Sequence, residues 1–227
     1  MNNTINPDHY KTLTFDCYGT LIDWESGILG YLQPMLQSYY VNVIDEYVLG
    51  LFAELEPRCQ AEGGSYREVL GHVCQGFATR LGFTLPPENL GGLADSIEFW
   101  QPFPDTRGAL DRLSQHFDLA VISNVDDDLF EYSRDLLGFG FSHVTTAQAV
   151  GKYKPDPEMF NHALAAVEGP VLHVAQSRYH DIEPASQLGL DTVWINRSGD
   201  GAASGITAEP TWTFASLEEF AQAVGTR

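Results

Sequence analysis

The chain has 227 residues, with 12 basic against 31 acidic side chains and a formal net charge of −19. That length carries one sizeable core, or one core with an inserted smaller unit, and a content of 44% hydrophobic and 12% aromatic residues excludes a disordered chain. The acid excess repels a phosphate backbone and anionic lipid, so neither nucleic acid nor membrane is an expected partner. No apolar run approaches the roughly 18 residues that a bilayer span needs, and the polar N-terminus has no secretory pattern, which makes the cytoplasm the expectation. Three cysteines, Cys17, Cys59 and Cys74, show no metal-binding spacing and fit reduced thiols.

In chain order, residues 13–15 form a short apolar strand ending at Asp16. The pattern then changes. Between 24 and 100 β-rich runs almost vanish, and four amphipathic stretches follow near 26–39, 43–58, 65–82 and 86–99, the later ones separated by Gly63-Gly64 and Pro86-Pro87. Alternation resumes with a helix over 106–116, a strand over 119–122 and a candidate strand over 143–146. A helix over 157–167 comes next, opened by a proline whose missing N–H matters little there. Strand 171–175, helix 182–188 and strand 192–195 complete the series, and residues 198–209, rich in Gly, Ala and Ser, read as a surface loop. Continuous β-branched runs suit strands buried on both faces of a parallel sheet. The expectation is an α/β fold: a doubly wound parallel-sheet core from residues 1–23 and 101–227, with a helical cap of residues 24–100 inserted over the first strand's carboxyl edge.

Ligands of such sheets bind beyond the carboxyl ends of the strands. This singles out Asp16 with Tyr18 and Thr20, Ser123 with Asn124, Lys152 or Lys154, and Gln176, Ser177 and Asp181. Asp16 runs into Cys17-Tyr18-Gly19-Thr20, where Gly19 permits a tight turn. A carboxylate there is a nucleophile if a lysine keeps it ionised, or a plain cap of the turn. Ser123 and Asn124 offer a hydroxyl and an amide to a bound anion, or cap a helix entered through Asp126-Asp127-Asp128. Pro155 holds Lys154 extended and can turn its ammonium toward the sheet edge, while a solvated surface is the plainer reading for either lysine. Asp181 is a second carboxylate able to position water, or an N-terminal helix cap. His180 ranks below it as a general base.

Together, four segments resemble the haloacid dehalogenase superfamily: Phe15-Asp-Cys-Tyr-Gly-Thr-Leu21, Val121-Ile-Ser-Asn124, Tyr153-Lys-Pro-Asp156, and the segment around Asp181 followed by Gly189-Leu-Asp-Thr-Val-Trp-Ile-Asn-Arg197. Order and spacing agree over nearly the whole chain, and the helical insertion falls where that superfamily places its cap. Its phosphatases carry a second aspartate two residues after the nucleophile; Tyr18 stands there instead, and few acids remain for a hard cation that wants several oxygens. The Asp-x-Tyr-Gly-Thr loop is similar to the L-2-haloacid dehalogenase (type II) branch. That resemblance implies a Rossmann-like core and a metal-independent hydrolase with no cofactor, in which Asp16 displaces halide from a 2-haloalkanoic acid and water opens the resulting aspartyl ester. It implies that Thr20 and Lys154 hold Asp16, that Asp181 orients water, and that Ser123 and Asn124 bind the substrate carboxylate or halide. Tyr18, Gln176, Ser177 and Arg178 complete the expected substrate-facing set.

Four departures accompany the resemblance. The branch's cap arginine has no counterpart in residues 46–52, and its aromatic hydroxyl six residues after the core lysine is Phe160. Arg178 and Gln176 replace an asparagine and a serine, making Arg178 a candidate for anion binding. Apolar walls are expected from Tyr39, Tyr47, Phe52 or Tyr66 and from an aromatic of Phe99-Trp100. Other readings stay open. One is a Mg²⁺-dependent small-molecule phosphatase of the same superfamily, which Tyr18 opposes because a phenol of pKa about 10 is a poor general acid or base at neutral pH. Others are a hydrolase of another small carboxylic acid, and a non-catalytic binder of a small acid or a protein. The expected partner is a small-molecule acid, and exposed cap helices leave a homodimer open.

Overall fold

The computed structural model describes residues 5–197 and 207–224. Its strands are β1 (Thr12–Phe15), β2 (Asp118–Ser123), β3 (His143–Thr146), β4 (Val171–Ala175), β5 (Asp191–Ile195) and β6 (Trp212–Phe214). They form one sheet in the order β3-β2-β1-β4-β5-β6, and every neighbouring pair is parallel. The chain winds outward from β1 in both directions, so the strand order reverses beside β1. In a sheet of this kind that reversal opens a crevice at the strands' carboxyl ends. β1 and β4 are buried along their whole length, which the unbroken apolar and β-branched runs required. The expected α/β class is the one observed, with the strand over 143–146 among its members. β6 and the helix after it escaped the sequence reading, because three residues are too few to show a period. Residues 198–206 of the expected surface loop lie outside the described residues.

The helices are α1 (Trp24–Ser38), α2 (Asp45–Ala61), α3 (Tyr66–Leu81), α4 (Gly92–Asp95), α5 (Thr106–Leu113), α6 (Asp127–Leu137), α7 (Ala147–Val150), α8 (Pro157–Ala166), α9 (Glu183–Gln187) and α10 (Leu217–Ala223). Neighbouring residues of β2 point to opposite faces of the sheet. Ile122 packs with Met159, Phe160 and Ala163 of α8 and Ala185 of α9. Val121 joins the larger cluster that holds Leu110 of α5, Phe130 of α6 and Phe220 of α10. Helices thus cover both faces, and each fully buried Phe or Leu contributes about 1.5–3 kcal/mol over its exposed state.

Between β1 and α5 the chain is helical. α3 begins with a capping box, Ser65 and Glu68 each bonding the other's backbone, and ends at Gly82 in the left-handed conformation. The fourth amphipathic stretch is not one helix: Gly91-Gly92 divides it into a 3₁₀ turn (Pro87–Asn89), the single turn of α4 and a second 3₁₀ turn (Ser96–Phe99). Contacts from the core grip this insertion. The Asp126 carboxylate accepts from the backbone N–H groups of Tyr66 (2.8 Å) and Arg67 (2.9 Å) at the start of α3. The Tyr153 hydroxyl donates to the Gly64 carbonyl at 2.9 Å. Arg67 bridges Asp95 of the insertion and Asp128 of α6. Among the described residues no helix is long and apolar enough to cross a membrane, and all three cysteines are free and buried.

Candidate active site

Asp16 follows β1 at the crevice, and its backbone N–H donates to Val174 of β4 at 3.1 Å. The chain then turns back on itself, with the Cys17 carbonyl accepting from the N–H groups of Leu21 and Ile22. Gly19 makes this turn possible. Its φ is +96°, and a Cβ there would press on the Trp24 indole. The turn returns Thr20 to Asp16: its hydroxyl donates to Asp16 Oδ2 at 2.7 Å and accepts from the Gln176 N–H at 2.9 Å.

Lys154 enters from the loop before α8 and is 2% exposed. Its Nζ donates to Asp16 Oδ1 at 2.8 Å, to Asp181 Oδ1 at 2.7 Å and to the Ile122 carbonyl at 2.9 Å. All three ammonium protons are thereby used. Asn124 fixes the lysine's backbone from both sides, its Oδ1 accepting from the Lys154 N–H at 2.6 Å and its Nδ2 donating to the Lys154 carbonyl at 3.1 Å. Burial opposes the lysine's charge, but the two carboxylates outweigh it and raise the pKa further. Burial pushes the Asp16 carboxyl up while Lys154 pulls it down. Asp181 is pushed up by burial as well, yet Lys154 and His173 prevail and hold it below its usual range.

Asp181 lies in a π-helical turn (Arg178–Ile182) capped by Ser177 and leading into α9. This turn, rather than the expected start of a regular helix at 182, carries the acid. π-turns recur at functional sites. His173, from the middle of β4, approaches Asp181 Oδ1 with Nε2 at 3.1 Å and Thr14 Oγ1 with Nδ1 at 2.9 Å. An ionised carboxylate only accepts, so Nε2 carries a proton, and Nδ1 and the Thr14 hydroxyl share the second hydrogen bond. Sequence reading missed His173; its one signal was a polar side chain inside an otherwise apolar strand. Asp181 Oδ2 is buried and has no partner among the described residues, and the same holds for Ser123 Oγ.

A cleft of about 270 Å³ opens over this cluster. Asp16, Ser123, Asn124, Lys154, Gln176, Ser177 and Asp181 line it on the core side, together with His180 and Tyr18. The insertion supplies Trp24, Phe52, Pro57 and Tyr66, and Trp100 closes the wall. Phe52 and Tyr66 thus sit where the aromatic walls were expected. Tyr39 instead stacks on Phe83, Tyr47 is exposed, and of the Phe99-Trp100 pair it is Trp100 that faces in. Gly27 lets the Trp100 ring lie directly on α1, where any Cβ would overlap it. Tyr18 packs edge-on to Trp100 and bonds Ser133 through its hydroxyl at 2.8 Å. Arg178 is not brought to the cleft. Its guanidinium lies 5.1 Å over the Trp194 ring and donates to the Ala208 carbonyl, lining the neighbouring groove with Asn196 and Arg197. Asn124 reaches the cleft but commits its amide to Lys154. Burial lowers the pKa of His180, so its ring is neutral at pH 7.

Whether magnesium suits this cluster follows from its donors. The Lys154 ammonium lies between Asp16 and Asp181, bonded to one oxygen of each, and Tyr18 stands two residues after Asp16 where a further carboxylate would be needed. Among the described residues no group of three or more His, Cys, Asp or Glu side chains is placed to hold a metal ion. The residues present do not fit a magnesium site.

Residues 10–189 match the hydrolase family described as haloacid dehalogenase-like hydrolase. An (S)-2-haloacid dehalogenase of Pseudomonas putida is 26% identical over 204 residues, covering 82% of this chain and 86% of that protein. The L-2-haloacid dehalogenase of Xanthobacter autotrophicus, solved with chloropropionic acid covalently bound, superposes with a TM-score of 0.78 at 18% identity, covering 93% of this chain and 97% of that one. A HAD-hydrolase structure from Bacillus subtilis, bound to magnesium, superposes with a TM-score of 0.80 at 20% identity, covering 96% and 100%. At these identities the two structures establish the fold.

Proposed function

The chain belongs to the haloacid dehalogenase-like hydrolase family, and on that footing we propose that it hydrolyses a 2-haloalkanoic acid through an ester on Asp16. The observation that carries this reading is the single ammonium of Lys154 bridging two carboxylates with different freedom: both oxygens of Asp16 are held by directed donors, while Asp181 keeps one oxygen with no partner among the described residues. Asp16, stripped of water and aimed by Lys154 and Thr20, forms a bond to C2 of the acid as the carbon–halogen bond breaks, and halide leaves with the electron pair. Water then adds to the ester carbonyl of Asp16, with Asp181 Oδ2 accepting its proton. The acyl–oxygen bond breaks, the proton held by Asp181 passes to the departing alkoxide oxygen so that the 2-hydroxy acid leaves, and the Asp16 carboxyl loses the remaining water proton and is restored as a carboxylate. The Ser123 hydroxyl is the free donor for the substrate carboxylate or the halide, and residues 24–100 act as the cap that excludes bulk water from the displacement.

The covalent chloropropionic acid adduct of the Xanthobacter autotrophicus structure supports this reading. Magnesium-dependent phosphoryl chemistry has less support, because Tyr18 stands where a second acid would be needed and no group of three or more His, Cys, Asp or Glu side chains among the described residues is placed to hold the ion. The test is halide release from a panel of 2-chloro and 2-bromo acids with no added metal, with Asp16→Asn as the inactive control. Intact-mass detection of an adduct on Asp16 accompanies it. A panel that yields no halide rejects the assignment.

A further inference from the structure

The insertion places one carboxyl in the cleft that the chemistry above does not use. Glu56 of α2 lines the same cavity as Asp16 and Lys154. Its Oε1 accepts twice, from the Tyr66 hydroxyl at 3.1 Å and from Gln60 Nε2 at 2.8 Å. Oε2 has no hydrogen-bond partner among the described residues, and no cation pairs with Glu56. The neighbouring charges matter for what this group can do. With both core carboxylates ionised, Lys154, Asp16 and Asp181 sum to 1 − 2 = −1. Every proton of Lys154 is committed, Arg178 faces the adjoining groove, and among the described residues the cleft therefore offers a bound anion no free cation. An ionised Glu56 would add a second negative charge to a site meant for a small acid.

We propose that Glu56 serves the cleft as a neutral carboxylic acid, donating a hydrogen bond from Oε2 to the anionic group of the bound substrate and so setting specificity for a small carboxylate. Since both existing bonds run into Oε1, the proton belongs on Oε2, the oxygen left for the ligand. Burial supports the neutral form by pushing the carboxyl up to about 7, against the smaller opposing effect of the Tyr66 hydrogen bond. The facing groups do not titrate in competition near neutral pH. Tyr66 and Tyr153 are raised and stay phenols, Lys154 is raised and stays cationic, and His180 is lowered and stays neutral. Asp181 is lowered and stays ionised. Asp16 is the remaining group whose carboxyl is pushed upward, and the variants below separate the two. The inference rests on the reading of a small anionic acid as substrate.

Propionate, which carries no halogen, is the probe. Its binding to the whole chain is followed by calorimetry from pH 6 to 9 in buffers of different ionisation enthalpy. Glu56 is neutral below its folded pKa and ionised above it, so binding is expected to take up one proton at pH 8 and to weaken about tenfold per pH unit between pH 8 and 9. Glu56→Gln keeps a donor at every pH, so it should bind propionate with no proton uptake and a flat profile. Glu56→Leu should bind weakly throughout. Unfolding midpoints close to that of the parent chain verify that both variants fold. Proton uptake that persists in Glu56→Gln assigns the titration to Asp16 and overturns the proposal, as does pH-independent binding by the parent chain or no binding at pH 6. Propionate binding with proton uptake but no halide from any haloacid retains the role of Glu56 and removes the dehalogenase assignment; halide release without proton uptake does the reverse.

Discussion

Lys154→Met takes the ammonium from between Asp16 and Asp181 and replaces it with an unbranched side chain. Removing one partner of a buried ion pair leaves an uncompensated charge and costs about 3–5 kcal/mol. Here two carboxylates lose the same partner and the Ile122 carbonyl loses a donor. The penalties do not simply add, because one carboxyl takes up a proton instead of remaining charged. The expected loss at pH 7 is therefore about 3–5 kcal/mol, which a urea m value of roughly 2–3 kcal/mol/M turns into a midpoint shift of about 1–2.5 M. The dependence on pH has a definite sign. Without Lys154 the group that pulled both carboxyls down is gone, so Asp16, already pushed upward by burial, moves further above its unfolded value of about 3.9. The folded variant then holds a proton that the unfolded chain releases. Its stability is intact below about pH 4 and falls as pH rises toward the folded pKa, by up to about 1.4 kcal/mol per unit. Adding Asp181→Asn should recover about 1–3 kcal/mol. Urea unfolding of the three chains from pH 5 to 8 reads all of this. A Lys154→Met midpoint within roughly 0.3 M of the parent at both pH 7 and pH 8 would refute the shared-ammonium account.

Three further perturbations address the neighbours. Asp181→Asn should release about one equivalent of halide and then stall, with turnover lowered about 10²–10⁴-fold and an adduct on Asp16 visible by mass; unchanged steady-state halide release contradicts the role of Asp181 in the second step. His173→Phe removes the donor to Asp181 and orphans the buried Thr14 hydroxyl, with an expected loss of about 1–3 kcal/mol in urea unfolding and turnover slowed about tenfold or more while the halide burst persists. Gly19→Ala forces an L side chain to φ +96° against Trp24, costing about 1–3 kcal/mol. That corresponds to a fall in Tm of about 2–4 °C per kcal/mol at this chain length, and a parent-like melting curve would show that the turn accommodates a side chain.

Asp16 was legible because an apolar run stops at a carboxylate followed by Gly19, a pattern that holds both the strand end and the turn within a few residues. Thr20 and Lys154 were legible through the same local logic. Asn124 and Arg178 were harder, since an amide or guanidinium finds its partner through tertiary placement: Asn124 closes on the Lys154 backbone, and Arg178 swings onto Trp194. His173 lies two residues inside a strand that reads as core, and only the approach of Asp181 from the following turn makes it part of the cluster. Phe160, noted for its missing hydroxyl, packs edge-on to this same histidine at 5.3 Å. The fourth amphipathic stretch failed as a single helix because hydrophobic spacing survives a Gly-Gly break that the backbone does not.

The tie between Tyr153 and the Gly64 carbonyl reaches beyond holding two parts of the molecule together. Tyr153 is the immediate neighbour of Lys154, so one peptide unit separates the phenol from the lysine that both acids share. Product escape, if it proceeds by swinging the helices away at that corner, must then either release this tether or disturb the charge balance beneath it. The dipeptide Tyr153-Lys154 thus touches both the helical wall of the cleft and the charged pair at its base.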